Sequence, residues 1–310
     1  MFLLSWVEIA QSKSQSSSSC VPPSFDRSML SARKPPSFDL SVVNTYVPEI
    51  TLSPSEDSHS NGMNLSHHQA ENAISRIYYM KAGDITRLQS LANISNNKGC
   101  DEFRKKTKLE AFSAFLWKLI ASWEHASEDK SCKMGIVVDG RGNLSSENEG
   151  RLWNLYIGNV LSIPFGEMEI EELKKKPINL VADSIQEFLK PAMSREHFLG
   201  LVDYVEAQRP KKLLAKIYAT KAIKDEAAVV ISSGLRFPIR MMDFGWGFPV
   251  FGSCYFSWKG KAGYVMPIPS ARGNGDWIVY MHLLEKQFEL IENCEDGILK
   301  PLTSDYLFKE

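Results

Sequence analysis

The chain has 310 residues, 44% of them hydrophobic and 11% aromatic, enough to bury a large core in one large domain or two. Its 36 basic and 37 acidic residues are well mixed and leave a formal charge of −1, which argues against a polyanionic partner such as nucleic acid or an acidic membrane surface. Five cysteines (Cys20, Cys100, Cys132, Cys254 and Cys294) are odd in number and form no Cys-x-x-Cys pair, so they read as reduced thiols of a cytoplasmic protein without a disulfide framework or a zinc site.

The opening "MFLLSWVEIAQSKS" has no basic leader, and Glu8 interrupts its apolar run, so it is not read as a signal peptide. Phe2, Leu3, Trp6, Ile9 and Ala10 stand at helical spacing and predict a helix. No stretch reaches the roughly 20 apolar residues of a membrane helix. After "SKSQSSSSC", a low-complexity surface loop, proline-punctuated text through "RKPPSFDLSVVNTYVPEI" reads as extended. Residues 51–72 lose apolar periodicity and read as a linker. His67 and His68 within it lack partners at metal-ligand spacing, because adjacent side chains of an extended segment point opposite ways.

Past the linker, "AISRIYYMK" predicts a strand, and Asp84 is read as the cap of a short helix through Ile85, Leu88 and Leu91. In "KKTKLEAFSAFLWKLIASW", Thr107 and Glu110 form a capping box, and Leu109, Phe112, Leu116, Ile120 and Trp123 form one apolar stripe. There follow a strand "MGIVV" ending in "DGRG", an extended segment "LWNLYIGNVLSIP", and a helix from Pro177 carrying Ile178, Val181, Ile185, Phe188 and Leu189. Strand text returns in "AAVVISS", around "MDFGWGFPVFG" and in "DWIVYMHL", and a last helix covers about Leu284 to Asn293. Strands mixed irregularly with helices predict a mixed-sheet α/β or α+β architecture.

Within "MDFGWGFPVFG", the Asp-Phe-Gly could suggest a kinase metal-binding signature, but no glycine-rich phosphate loop, Val-Ala-Ile-Lys strand or His-Arg-Asp loop precedes it. As structure alone, Gly245 and Gly247 permit backbone conformations or close approaches that a Cβ forbids, and Trp246 fills space beside them. Lys105, Lys106 and Lys108, with Arg104, surround the helix start capped by Thr107. That combination of cations with free backbone N–H groups suits a phosphate, and it suits a solvated basic turn equally. "HASED", from His125 to Asp129, has the composition of an exposed helix end.

"DFGWG" at Asp243 to Gly247, with "SSGLRFPIRMM" before it and "GYVMPIP…DWIVYMHL" after it, resembles the second signature of the plant BAHD acyltransferases. "ISRIYYMKAGDITRLQSLA", "TKLEAFSAFLWKL", "VVDGRGNL" and "LYIGNVL" match further family blocks in order, and "SWVEIAQ" and "FDRSMLSARKPP" match text that follows the family's first signature. The resemblance covers essentially the whole chain.

It implies the two-domain, coenzyme-A-dependent acyltransferase fold. Residues 1–50 would be a remnant of the N-terminal domain, 51–72 the interdomain crossover and 73–310 the C-terminal domain. The implied activity is transfer of an acyl group, hydroxycinnamoyl by likeness of the "FDRSMLSARKPP" block, from an acyl-coenzyme A co-substrate to a small alcohol or amine. The implied protein has no tightly bound cofactor and is a monomer if complete. The family's general-base histidine belongs to a His-x-x-x-Asp-Gly signature that would lie upstream of Met1, so no catalytic residue is assigned and His125 is set aside as a decoy. Asp243 and Arg141 are expected to form a structural salt bridge. Thr107, Lys105, Lys106, Lys108, Ser232 and Ser233 are expected to line coenzyme A, although Leu235 replaces the tryptophan usual after the serines. The alternative is an inactive remnant that retains at most ligand binding.

Overall fold

The computed structural model describes residues 2–12, 22–48, 73–94, 104–122, 131–145, 150–218, 227–255, 262–294 and 296–308. A seven-stranded mixed sheet organises it. The strands are β1 (Ala73–Met80), β2 (Ser131–Ile136), β3 (Phe165–Glu169), β4 (Ala227–Ile231), β5 (Gly263–Pro269), β6 (Trp277–Leu284) and β7 (Lys300–Pro301), in the spatial order β7-β1-β6-β5-β4-β2-β3. β4 runs parallel to both its neighbours and all other pairs are antiparallel, as the irregular mixture of elements predicted.

Strand periodicity sorts side chains to two faces. On β4, Val229 and Ile231 join the main core while Ala228 and Val230 join a second apolar cluster with Ala215 and Ile217. An apolar run rather than an alternation is what a strand buried on both faces requires. The main-core face is covered by the helices Ala82–Ala92, Lys108–Ala121, Ile178–Leu189 and Glu285–Glu292, through Ile85 and Leu88, Phe112, Leu116, Trp117 and Ile120, Val181 and Ile185, and Phe288 and Ile291. Full burial of side chains the size of Phe112 or Trp117 contributes about 2–3 kcal/mol each. Lys118 stands at the edge of this layer, and its Nζ donates to the carbonyls of Leu173, Lys174 and Lys176 at 2.8, 2.9 and 2.5 Å. It thereby closes the C-terminal end of the Ile170–Lys175 helix.

Several expectations change. The helix after β1 starts one turn's fraction earlier than read: Lys81 is the cap, without a side-chain bond, and Asp84 sits inside the first turn where its charge meets the positive end of the helix. Leu91 is 39% exposed, and Ala92 takes the inward place. The segment read as extended before residue 50 holds a helix, Leu40–Thr45, capped by Asp39, whose carboxylate accepts from the N–H groups of Ser41 and Val42. "LWNLYIGNVLSIP" is not wholly extended either, since Gly150–Leu155 is helical and only Leu161–Ser162 forms a short strand. The stretch around the glycine-bracketed tryptophan is loop with one short 3-10 turn, not strand.

Candidate functional site

The start of the Lys108–Ala121 helix is built as its sequence predicts. Thr107 Oγ1 accepts from the Glu110 N–H at 3.2 Å, and Glu110 Oε2 accepts from the Thr107 N–H at 2.7 Å. Arg104 grips the same carboxylate with both terminal nitrogens, at 2.5 and 3.2 Å, and the Gln186 amide donates to Oε2 at 3.4 Å and to the Arg104 carbonyl at 3.1 Å. Glu110 is only 3% exposed, and these partners are what make a buried carboxylate tolerable.

The surrounding cations divide. Arg104 is committed to Glu110, and Lys106 forms an ion pair with Asp183 on the Ile178–Leu189 helix. Lys105 and Lys108 are exposed and make no ion pair among the described residues. The N–H groups of Lys108 and Leu109 lie between the two donors of the capping box, Thr107 and Glu110, and as first-turn groups have no intrahelical acceptor; Lys105 and Lys108 flank them along the chain.

The glycine-bracketed motif answers a different physical demand. Gly245 and Gly247 have φ of +107° and +111°, and a Cβ at either would meet nothing within 4 Å. Conformation, not space, requires glycine there. The positive φ values turn two backbone N–H groups toward the Asp243 carboxylate, whose Oδ1 accepts from Gly245 at 2.8 Å and Gly247 at 3.0 Å. Trp246, expected to fill space beside the glycines, points into solvent: it is 85% exposed and stacks on Phe244 at 5.9 Å between centroids. Phe244 meets Trp6 edge-on at 5.5 Å, and Gln11 Nε2 donates to the Asp243 carbonyl at 2.6 Å. The first helix, Phe2–Gln11, therefore clamps the motif by an aromatic contact and a backbone contact.

The expected Asp243–Arg141 salt bridge is not formed. Arg141 pairs with Asp139, Nη1 to Oδ1 at 2.9 Å, and donates to the carbonyls of Gly158 at 2.6 Å and Tyr156 at 3.4 Å. Its guanidinium borders a cavity of about 280 Å³ shared with Phe2, Ser5, Pro23, Leu155 and Ile157. The first helix thus reaches Arg141's cavity with Phe2 and Ser5 and the motif with Trp6 and Gln11. Asp243 satisfies its charge within its own loop, where nearby backbone groups cost less conformational entropy to recruit than a distant side chain, while Arg141 combines the adjacent Asp139 with carbonyls of the 156–158 segment.

Ser232 directly follows β4; its N–H donates to the Val265 carbonyl at 2.9 Å and its side chain bonds the Tyr264 phenol, whose pKa burial raises. Ser233 is exposed, and its Oγ accepts from the Leu235 N–H at 3.4 Å. His125 lies outside the described residues, as do Trp123, His67 and His68. Among the described histidines, His197 is buried with both ring nitrogens hydrogen-bonded, and His282 Nδ1 bonds Ser75 at 2.9 Å. Sequence reasoning missed Gln11, Asp139 and His197. Asp139, two residues from Arg141, could have been found by its spacing; the other two carry no local signal. Among the described residues no His, Cys, Asp and Glu cluster could hold a metal ion, and no helix is long and apolar enough to cross a membrane.

The Transferase family model matches residues 1–296. Shikimate O-hydroxycinnamoyltransferase of Nicotiana tabacum is 25% identical over 292 residues, 94% of this chain and 61% of that protein. Anthranilate N-benzoyltransferase protein 1 of Dianthus caryophyllus is 24% identical over 208 residues, 67% of this chain and 44% of that protein. The chain spans about half the length of the curated relatives it matches. Among solved structures, F. graminearum TRI101 complexed with coenzyme A and T-2 mycotoxin superposes with a TM-score of 0.65 at 15% identity, covering 90% of this chain and 57% of that one. Vinorine synthase superposes at 0.51, with 14% identity over 74% of this chain and 49% of its own. The mixed sheet with its helical layer is therefore the fold of these acyltransferases, and the chain belongs to the Transferase family as a BAHD-type member.

Proposed function

We propose that the chain binds an acyl-coenzyme A thioester at the start of the Lys108–Ala121 helix and serves transfer of the acyl group to a small alcohol or amine. The observation that carries this reading is the helix start itself. Two first-turn N–H groups, a rigid capping box and the exposed ammonium groups of Lys105 and Lys108, which make no ion pair among the described residues, offer a phosphate both donors and charge. Lys106 and Arg104 contribute position rather than free charge, since each is paired. Ser233, exposed after β4, is the further cofactor contact in this reading, and Ser232 holds the strand end that presents it.

Coenzyme A supplies the thioester and the leaving thiolate. The chain's own residues bind and orient it: Thr107 and Glu110 fix the helix start, and the first helix, which lines Arg141's cavity with Phe2 and Ser5, also holds the Asp243 loop. No His-x-x-x-Asp-Gly occurs in the 310 residues, so the proton-accepting base of the family has no counterpart to name here. That same observation favours a second reading, binding without transfer. A hydroxycinnamoyl or benzoyl donor, a cytoplasmic setting and a boundary near residues 51–72 between two domains belong to the proposal, supported by the names of the relatives and by the motif order.

The test is calorimetric titration of the 310-residue chain with coenzyme A at low and high salt, beside a Lys105→Ala/Lys108→Ala variant. Binding that the variant weakens, and weakens more at low salt, is expected from exposed charge contacts. Absence of binding overturns the site. Assay with p-coumaroyl-coenzyme A and benzoyl-coenzyme A against shikimate and anthranilate then separates the readings, because transfer excludes binding alone.

A further inference from the structure

We infer that His197 is a pH-sensitive latch that fastens the segment 39–46 to the body of the protein and steadies the loop carrying Arg141. The inference rests on geometry independent of the coenzyme A reading. His197 is 2% exposed on the Arg195–Ala207 helix, and its two ring nitrogens face hydroxyls from two other parts of the chain. Nδ1 lies 3.3 Å from Ser41 Oγ and Nε2 lies 2.8 Å from Ser162 Oγ.

The proton positions follow from the ends of this chain of contacts. Ser41 Oγ stands 2.5 Å from Asp39 Oδ1, and an ionised carboxylate only accepts, so the Ser41 hydroxyl donates there. Its lone pair is left for His197, and Nδ1 must carry the proton. Nε2 is then an acceptor, and the Ser162 hydroxyl donates to it. Ser162 Oγ in turn accepts from the Tyr46 hydroxyl at 3.3 Å, and Tyr46 accepts from the Ile163 N–H at 2.9 Å. Every donor is oriented toward Asp39, and the arrangement has room for one tautomer of a neutral imidazole.

The latch touches the site through two of its members. Ser162 pairs with Val138 across a short antiparallel ladder whose next pair is Leu161 with Asp139, the ion-pair partner of Arg141. Phe198, the next residue on the helix, lies so close to Gly140 that a Cβ there would sit 2.3 Å from the ring. Protonation of Nε2 would set two donors against each other and place a charge in a site closed to water, so opening becomes the way to accommodate the proton.

The charged and titratable groups around the ring leave this balance to His197. Asp39, which the Ser41 hydroxyl holds below the usual carboxylate range, stays ionised above pH 5, and Tyr46, raised by burial, stays neutral. On its own helix Arg195 is bound to the Leu144 carbonyl, and Glu196 and Asp203 are paired with Arg33. Asp139 and Arg141 hold each other, and Lys190 on the preceding turn is exposed. Burial pushes the His197 imidazole below its ordinary value, with Asp39 opposing weakly. The opened segment, with a histidine pKa near 6.5, therefore binds more protons than the closed one below that pH. Closure is complete above pH 6.5 and weakens as pH falls, until the pH passes the closed-state value.

The test joins hydrogen exchange with imidazole NMR on the full 310-residue chain. Exchange of the 40–48 amides and of the 138–162 ladder, corrected for intrinsic rates, should rise between pH 7.5 and 5.5 by up to about tenfold per pH unit below 6.5. In His197→Gln that pH dependence should vanish whatever the baseline. Nitrogen-15 spectra of the histidine-labelled wild type should show the His197 proton on Nδ1 at pH 7.5 and its titration displaced below the ordinary histidine value, the signal identified by absence in the variant or, if the variant does not fold, by contacts to Phe198. An Nε2–H tautomer, an ordinary titration near pH 6.5, or exchange that stays flat in the wild type would overturn the latch.

Discussion

The helix start at Thr107 and the loop at Asp243 are both places where a side-chain oxygen gathers backbone N–H groups, yet they are held in opposite ways. At Thr107 the cap is braced from behind by a buried carboxylate, a guanidinium and an amide from a second helix, on a helix whose apolar stripe fills the main core. At Asp243 the brace is the backbone itself, bent by two positive φ values, with Trp246 and Phe248 left 85% and 68% exposed. The difference shows that a sequence motif can be rigid through packing or through conformational restriction. Only the first kind takes its shape from distant residues; at Asp243 the Trp6 and Gln11 contacts clamp a loop whose shape is set within the motif itself.

Breaking the packed brace should have the largest effect. Glu110→Ala removes one half of the capping box and leaves Arg104 and Gln186 without their shared acceptor. Because Arg104 is half exposed, the cost is set nearer a lost cap with a lost charged hydrogen bond than a fully buried ion pair, about 2–3 kcal/mol. Chemical denaturation followed by tryptophan fluorescence measures it, and a midpoint matching wild type would mean that the helix start is held by something else.

The conformational brace should break next, and selectively. Gly245→Ala and Gly247→Ala meet no steric obstacle, so their cost, about 1–3 kcal/mol, comes from forcing a Cβ into a backbone region reserved for glycine. Gly142→Ala is the control: its Cβ also meets nothing within 4 Å, its φ is ordinary, and its stability should stay within about 0.5 kcal/mol of wild type. Equal effects at all three positions would remove the distinction between space and conformation.

The two regions also differ in how far they could be read in advance. The capping box was legible because both partners lie within four residues, and the strands and helices of the sheet were legible where apolar periodicity was long, as in β1, β6 and the Ile178–Leu189 helix. Asp243's partner was not, because spacing along the chain cannot tell a carboxylate that folds back on its own loop from one that reaches across to Arg141. The Leu40–Thr45 helix was hidden for a related reason. "LSVVNT" has two β-branched valines and weak helix formers, and its helicity comes from the Asp39 cap and from contact with the Arg195–Ala207 helix, which is itself only visible once folded. His197 shares that limit, since its meaning lies in which hydroxyls surround it.

Asp243→Asn sharpens the point with a smaller effect. If the carboxylate served Arg141, the change would cost several kcal/mol and would couple strongly to Arg141→Lys. With Asp243 accepting two local N–H bonds instead, the amide keeps one acceptor oxygen and loses only charge assistance, about 1 kcal/mol. A double-mutant cycle with Arg141→Lys should give an interaction energy below about 0.5 kcal/mol. A value above 1 kcal/mol would restore the bridge.

The smallest effect belongs to the cations, and it separates a binding surface from a brace within one helix start. Lys105→Ala with Lys108→Ala removes two exposed side chains that make no ion pair among the described residues, so the denaturation midpoint should shift by no more than about 0.5 kcal/mol. Lys106→Ala should differ from both, because Lys106 is largely covered and its loss leaves Asp183 on the facing helix without its counter-charge, for about 1 kcal/mol. Midpoints at low and high salt distinguish them: the Lys106 effect should persist with salt, while any effect of Lys105 and Lys108 should fade. If the paired lysine proves silent and the exposed pair costly, the division between position and free charge at this helix start is wrong, and the phosphate site built on it falls as well.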